Sequence, residues 1–193
     1  MNANWGKNWR GLLYVPEGGG VPKEPAATAR RISVAEAFAD KAFPSLCREY
    51  AEESAIAGLP DPREKLSAYQ ALEASGSAAF CAYVAFLGDM LIGFVALLTP
   101  VLPHYGIAIS VAESLFVGRA YRKTGAGMLL IRLAEKRAEE MGSPGMLFSA
   151  PSKGRLSVLL PRIGYRETNR VFLKEFSHDR DAFRRHRQGG RAI

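Results

Sequence analysis

The stretch that decides the fold is "SLFVGRAYRKTGAGMLLIRLAEKRAEE", Ser114 to Glu140. It passes from alternating residues that suit a strand, through glycines and positive charge, into a helical pattern. Leu130, Leu133, Ala134, Arg137, Ala138 and Met141 fall on one stripe of a helix expected over Gly125 to Met141, and five of these six suit a core. The junction Arg122-Lys123-Thr124-Gly125-Ala126-Gly127 therefore opens a helix, where unpaired N–H groups point outward and carry partial positive charge. Glycine there lets an anion approach the backbone, Ala126 is small, and Arg122 and Lys123 add formal charge. This suits a diphosphate, although the residues alone equally allow a plain turn with a solvated basic face. Two nucleotide motifs are excluded, because the stretch lacks the G-K-[ST] of a P-loop and has no G-x-G-x-x-G.

Working outward, the elements follow a readable order. A short strand near Ala27 to Ile32 leads to Ser33, and Glu36 three residues later makes a capping box. The helix it opens is expected to run to about Ala57, bent at Pro44, and to stop at "GLPDP"; Arg63 to Ala74 gives a second. Ala79 to Leu87 and Met90 to Leu98 predict a hairpin turning at Gly88-Asp89, and Ile107 to Val117 a fourth strand after the loop "TPVLPHYG". Gly142 ends the central helix. Met146 to Ala150 then reads as a fifth strand, Gly154 to Leu160 as a short helix cut off by Pro161, and Tyr165 to Thr168 with Val171 to Phe176 as closing strands. The order predicts an α/β fold with a mixed, largely antiparallel sheet of about seven strands, about four helices and one crossover.

The 193 residues, 48% hydrophobic, suit one domain with loose ends. Residues 1–26, with "PEGGGVPKEP", are expected to form a flexible arm, although Trp5, Trp9 and Leu12 to Val15 could dock. Residues 177–193 are expected to form a basic tail, with five arginines in the last sixteen residues; it offers a nucleic-acid contact beside the plainer reading of a solvated end. The formal charge of +7 implies attraction to polyanions without choosing among CoA phosphates, nucleic acid and an acidic membrane face. Cys47 and Cys81 lie in apolar surroundings, which favours buried thiols and a reduced, cytoplasmic setting. No run suits a signal peptide or a membrane span, so no membrane partner is expected, and no metal either.

The strand Glu113-Ser114-Leu115-Phe116-Val117 followed by Arg122 to Gly127 resembles the E-x-L-x-V and R-x-x-G-x-G/A signature of the GNAT acyltransferase superfamily. "IGY" at Ile163 to Tyr165 is similar to that family's closing G-F or G-Y, and the likeness covers about Ala27 to Phe176. The resemblance implies a GNAT-like fold over 27–176, with acetyl-CoA as acyl donor. It implies that the backbone of Arg122, Lys123, Thr124, Gly125, Ala126 and Gly127, with Met128, holds the pyrophosphate. It implies also that pantetheine lies along the strand, bonded to the main chain of Leu115 and Val117. A bulge in that strand would leave one N–H, near Phe116 or Val117, free as an oxyanion donor.

The reaction implied is acetyl transfer to an amine of a small molecule or a protein. An amine attacks only when neutral, so a base must take its proton. Glu113 stands where the family often places that carboxylate; by strict alternation it shares a face with Leu115 and Val117 unless a bulge intervenes. His104 is an alternative base. Tyr105, with Tyr50 and Glu53 near the end of the first long helix, is expected to contact the acceptor, while Glu49 and Glu53 also read as an ordinary solvated i, i+4 face. Leu160 replaces the family's usual tyrosine acid and "PSKGRL" its usual asparagine, so Ser152 or Ser157 would protonate the leaving thiolate, or it departs unaided, a thiol pKa being about 8.5. A CoA-binding regulator without turnover, a nucleic-acid-associated protein and a homodimer stay open as further readings.

Overall fold

The computed structural model describes residues 26–53, 62–76, 80–152 and 154–174. The expected arm, the basic tail and the helix end at Ser54 to Ala57 lie outside them. Strand β1 (Ala27–Ile32) leads into α1 (Val34–Ala39), whose start is held by the expected capping box: the Ser33 hydroxyl accepts from the Glu36 N–H, and the Glu36 carboxylate accepts from the Ser33 N–H at 3.0 Å. The long helix expected to run on through Pro44 is instead two helices. The Asp40 side chain accepts from the Ala42 N–H at 2.8 Å, and α2 (Phe43–Glu53) restarts at Phe43 with Pro44 in its first turn, where no helical N–H is lost. Helix α3 (Pro62–Ala74) follows, and Glu73 near its end accepts from the Val34 N–H at 3.1 Å, tying α3 to the start of α1.

The hairpin forms as expected from β2 (Phe80–Leu87) and β3 (Met90–Leu98). After a two-residue pair, β4 (Val101–Leu102) with β5 (Ile107–Ala108), comes the central strand β6 (Ser110–Val117). Helix α4 (Ala126–Glu140) crosses over to β7 (Met146–Phe148), and α5 (Arg155–Arg162) closes the regular structure. The five-stranded sheet has the order β1-β2-β3-β6-β7, antiparallel except for the β6–β7 pair that α4 connects. This is a GNAT-like mixed α/β fold.

One core lies between the sheet and α4, where Ile92, Val95 and Leu97 meet Ala126, Leu130 and Ala134. The other lies on the opposite face under α1 and α2, where Val84, Phe94 and Phe116 meet Phe43 and Leu46. Ile131, 1% exposed, belongs to the buried side of α4 although the expected stripe omits it.

Two expectations fail at the C-terminal end. Pro161 does not cut α5 before it, because it sits in the last turn, and the chain closes through Ile163 N–H to the Leu160 carbonyl and Gly164 N–H to the Pro161 carbonyl. The closing strands do not form among the described residues 165–174, and Val171 and Phe172 are 89% and 88% exposed. Tyr165 is held in another way: its hydroxyl donates to Glu135 on α4 at 2.8 Å and its ring stands edge-on to Phe148 at 5.3 Å. Strand propensity measures how well a residue suits a half-buried pleated surface, and residues 166–174 are given no such surface.

Candidate active site

The site is organised by an irregularity in β6. Ala96 lies opposite Ser114 but Leu97 lies opposite Ala112, so Glu113 is the extra residue of a bulge. Val95 and Leu97, whose partners are Leu115 and Ala112, face α4, whereas Ala96 and Phe94, opposite Ser114 and Phe116, face α1 to α3. The bulge releases Glu113 from the Leu115–Val117 face that alternation would give it and turns its carboxylate to α3. There the Tyr69 hydroxyl donates to both oxygens, each at 3.1 Å. The bulge thus falls at Glu113, inside the strand for which the resemblance implies one.

It also falls where β7 stops. Ser110, Val111 and Ala112 pair with Met146, Leu147 and Phe148, and from Glu113 onward β6 has no described strand on that side. The Gly118 N–H donates to the Ile92 carbonyl at 2.9 Å, so alternation commits the N–H groups of Phe116 and Ser114 to β3 as well. Those of Leu115 and Val117 point into the gap. The Val117 carbonyl there is taken by Arg122 Nε at 3.1 Å.

Beyond Val117, a single turn of 3-10 helix (Arg119–Tyr121) leads to the junction. Gly125 caps α4 with φ +82°, a left-handed conformation that side chains other than glycine adopt at a cost. Gly127 is different. It lies inside the helix, and a Cβ there would meet only Val117 Cγ2 at 3.8 Å, so the fold does not require a glycine. No carboxylate occupies the first turn of α4, and no described backbone carbonyl takes the N–H of Gly127 or Met128; that of Ala126 has only a 3.4 Å contact with Thr124 Oγ1.

The charges of the junction are arranged against α2. Glu53 accepts from Arg119 Nε and from Arg122 Nη2, each at 2.7 Å; Glu52 accepts from Arg119 Nη2 at 2.9 Å, and Glu49 from the Arg119 N–H at 3.0 Å. Burial works to raise the Glu53 carboxyl, but the hydrogen bonds from the two arginines outweigh it and hold the group below the ordinary carboxylate range. Arg122 also lies over the Phe116 ring at 5.4 Å. Arg122 is therefore paired with Glu53 and bent back over the end of β6, whereas Lys123, next in the chain, is exposed.

On the Glu113 side the sheet and α1 to α3 enclose a cavity of about 690 Å³ including its open mouth. Phe38, Phe43, Phe80 and Phe94 line it, with Tyr50 and Tyr69; Lys65 is the only charged residue in its described lining. The Tyr50 ring meets Phe94 and Phe116, each at 5.8 Å. Burial, and then the negative charge of Glu113, push the Tyr50 hydroxyl above its ordinary range, and the same two causes push Tyr69 further up. Both hydroxyls therefore stay protonated as donors.

Of the residues singled out in the sequence, Tyr50 lines this cavity and Glu113 reaches it through its bonds to Tyr69, while Leu115 and Val117 lie on the open edge of β6 that leads toward the start of α4. Glu53 does not face it as an open carboxylate, since both its oxygens are held by the junction arginines. His104 and Tyr105 lie on the exposed turn between β4 and β5, with ring centroids 4.8 Å apart, and no hydrogen bond links either to Glu113. The Ser157 hydroxyl is spent on the Gly154 carbonyl at 2.7 Å, and Ser152 is exposed. Tyr69 is the residue sequence reasoning missed; its one signal is that it is the only aromatic residue on α3.

Comparison with known proteins agrees with this geometry. The model of the acetyltransferase (GNAT) family matches residues 43–154, more than half of the chain. The chain belongs to the GNAT acetyltransferase family. No curated protein matches it. Among solved structures it is similar to a ribosomal-protein-alanine N-acetyltransferase from Brucella melitensis biovar Abortus 2308, with TM-score 0.59, 21% identity, and 78% of this chain and 99% of that one covered. It is similar also to the aminoglycoside N-acetyltransferase AAC(6')-Iy in complex with CoA, with TM-score 0.64, 17% identity, and coverage of 81% and 99%. A third is the aminoglycoside 6'-N-acetyltransferase AAC(6')-IG from Acinetobacter haemolyticus, with TM-score 0.58, 19% identity, and coverage of 78% and 99%. At these identities the likeness is one of fold. Among the described residues no helix is long and apolar enough to cross a membrane.

Proposed function

We propose that this chain is an N-acetyltransferase that moves an acetyl group from acetyl-CoA to a primary amine by direct attack. The observation that carries it is the open edge of β6 running into the glycine-bearing start of α4, with Glu113 turned out beside it. Gly127, for which the fold has no need, and the first-turn N–H groups suit a diphosphate laid against the helix end. Lys123 would add charge there, and the main chain of Leu115 would hold the amide-bearing arm of CoA as an added strand. When bound, acetyl-CoA supplies the acetyl group as a thioester.

The chain's own residues do the rest. Glu113 accepts the proton of the attacking amine as the N–C bond forms and the C–S bond breaks. Tyr69, bonded to both Glu113 oxygens, positions that carboxylate. The Val117 N–H is the donor aimed where an oxyanion would develop. No described side chain stands ready as an acid toward the thiolate, which is a tolerable leaving group and takes its proton from water.

His104 has less support as the base, since it lies on an exposed turn against Tyr105. Glu53 is better read as a clamp on the junction than as a substrate ligand. The nucleic-acid reading rests on residues 177–193, outside the described ones. Calorimetry with acetyl-CoA and a thiol-release assay over an amine panel test the proposal: micromolar binding with amine-dependent release of thiol is expected, and no binding at millimolar CoA overturns it.

A further inference from the structure

The cavity beside Glu113 carries information about the acceptor. Its described walls are apolar and aromatic on both sides: Phe38 and Phe43 from the helices, Phe80 and Phe94 from the sheet. The polar groups on it are few. Tyr69 leads to Glu113, and Lys65 sits one helical turn before Tyr69 on α3, at the same cavity. No described carboxylate lines the walls, and the acids of α2, which could have drawn in a polycation, are held by Arg119 and Arg122.

The neighbours of known activity that act on aminoglycosides set a contrast. A polycationic amine buried among phenyl rings would leave its other ammonium and hydroxyl groups without partners, a desolvation cost larger for each charge than for each neutral group. Lys65 would add repulsion to any second cationic centre. A monoamine on an aromatic or bulky apolar body meets neither penalty: one ammonium faces Glu113, and the body fills the space between the rings.

We infer that the acceptor is a monoamine carried on an aromatic or similarly apolar body, bound between α1 to α3 and the sheet with its nitrogen at Glu113. This rests on the acetyltransferase reading above. The test measures kcat/KM for phenethylamine and tryptamine against sisomicin and spermidine, alongside acetyl-CoA binding by calorimetry. The two aryl amines are expected to exceed the two polycations at least tenfold. Ala51→Phe, which adds a ring to the cavity wall, is expected to raise KM for phenethylamine at least tenfold with acetyl-CoA affinity unchanged. Lys65→Glu, on a half-buried helix position that does not touch the junction, is expected to narrow the preference several-fold, and it remains informative if Ala51→Phe does not fold. Preference for the polycations, or acetyl-CoA binding with no transfer to either class, overturns the acceptor assignment and leaves cofactor binding standing. Absence of acetyl-CoA binding overturns the acetyltransferase reading, and this inference with it.

Discussion

Replacing Glu113 with glutamine removes one negative charge from an exposed side chain while keeping an oxygen that can accept from Tyr69. The fold therefore has little to lose. Chemistry has much to lose. A primary amine with a pKa near 10.4 is neutral in about one molecule in 1,000 at pH 7.4, so turnover depends on a group that takes its proton. A positioned base contributes about 10²–10⁴-fold, or roughly 3–5 kcal/mol of barrier. The Tyr69 contacts, both 3.1 Å, are longer than a strong O–H···O⁻ bond of about 2.5–2.7 Å, so the carboxylate keeps acceptor capacity for the amine. In a thiol-release assay Glu113→Gln is expected to lower kcat at pH 7.4 at least a hundredfold, with the KM for acetyl-CoA unchanged. The deficit should shrink about tenfold per pH unit toward pH 10, as solvent supplies neutral amine. A variant within threefold of the parent at pH 7.4 would refute Glu113 as the base.

Gly125→Ala forces a left-handed conformation at φ +82° on a residue with a Cβ, at about 1 kcal/mol; the melting temperature should fall by about 3 °C, and an unchanged value would mean that the cap is not held there. Glu53→Gln loosens α2 from the junction and should cost about 1 kcal/mol at pH 7, a figure reduced for the 36% exposure of the Glu53 side chain. Because the folded carboxyl is held down, that stability is present above the unfolded value of about 4.3 and is lost as pH falls through the folded one. The difference between parent and variant in denaturant titrations should therefore begin to shrink as pH falls below about 4.3 and go on shrinking in stronger acid, and a gap that widens in acid would contradict the clamp.

The junction, the hairpin and the crossover were legible because each is local: the 3.6-residue stripe, the turn at Gly88-Asp89 and the capping box at Ser33 all act within a few residues. What depended on partners was not. The bulge at Glu113 is a property of how β6 registers on β3, and no pattern within Ser110 to Val117 announces it. Tyr69 reaches Glu113 across 44 positions of sequence. Glu53 read as an open carboxylate because the two arginines that hold it lie 66 and 69 positions away. The closing strands failed for the same reason in reverse: "VFLKEF" has the residues of a strand, and the described part of it finds no ladder.

The central claim is that Gly127 is a glycine for the sake of a bound diphosphate and not for the fold. Gly127→Leu separates the two, because a Cβ there meets only Val117 Cγ2 at 3.8 Å and a non-glycine residue gains up to about 1 kcal/mol of helix propensity. Calorimetric titration of parent and variant with acetyl-CoA tests it most directly. The account predicts a melting temperature equal to or above the parent's together with at least tenfold weaker acetyl-CoA binding; equal affinity in the two proteins would contradict it.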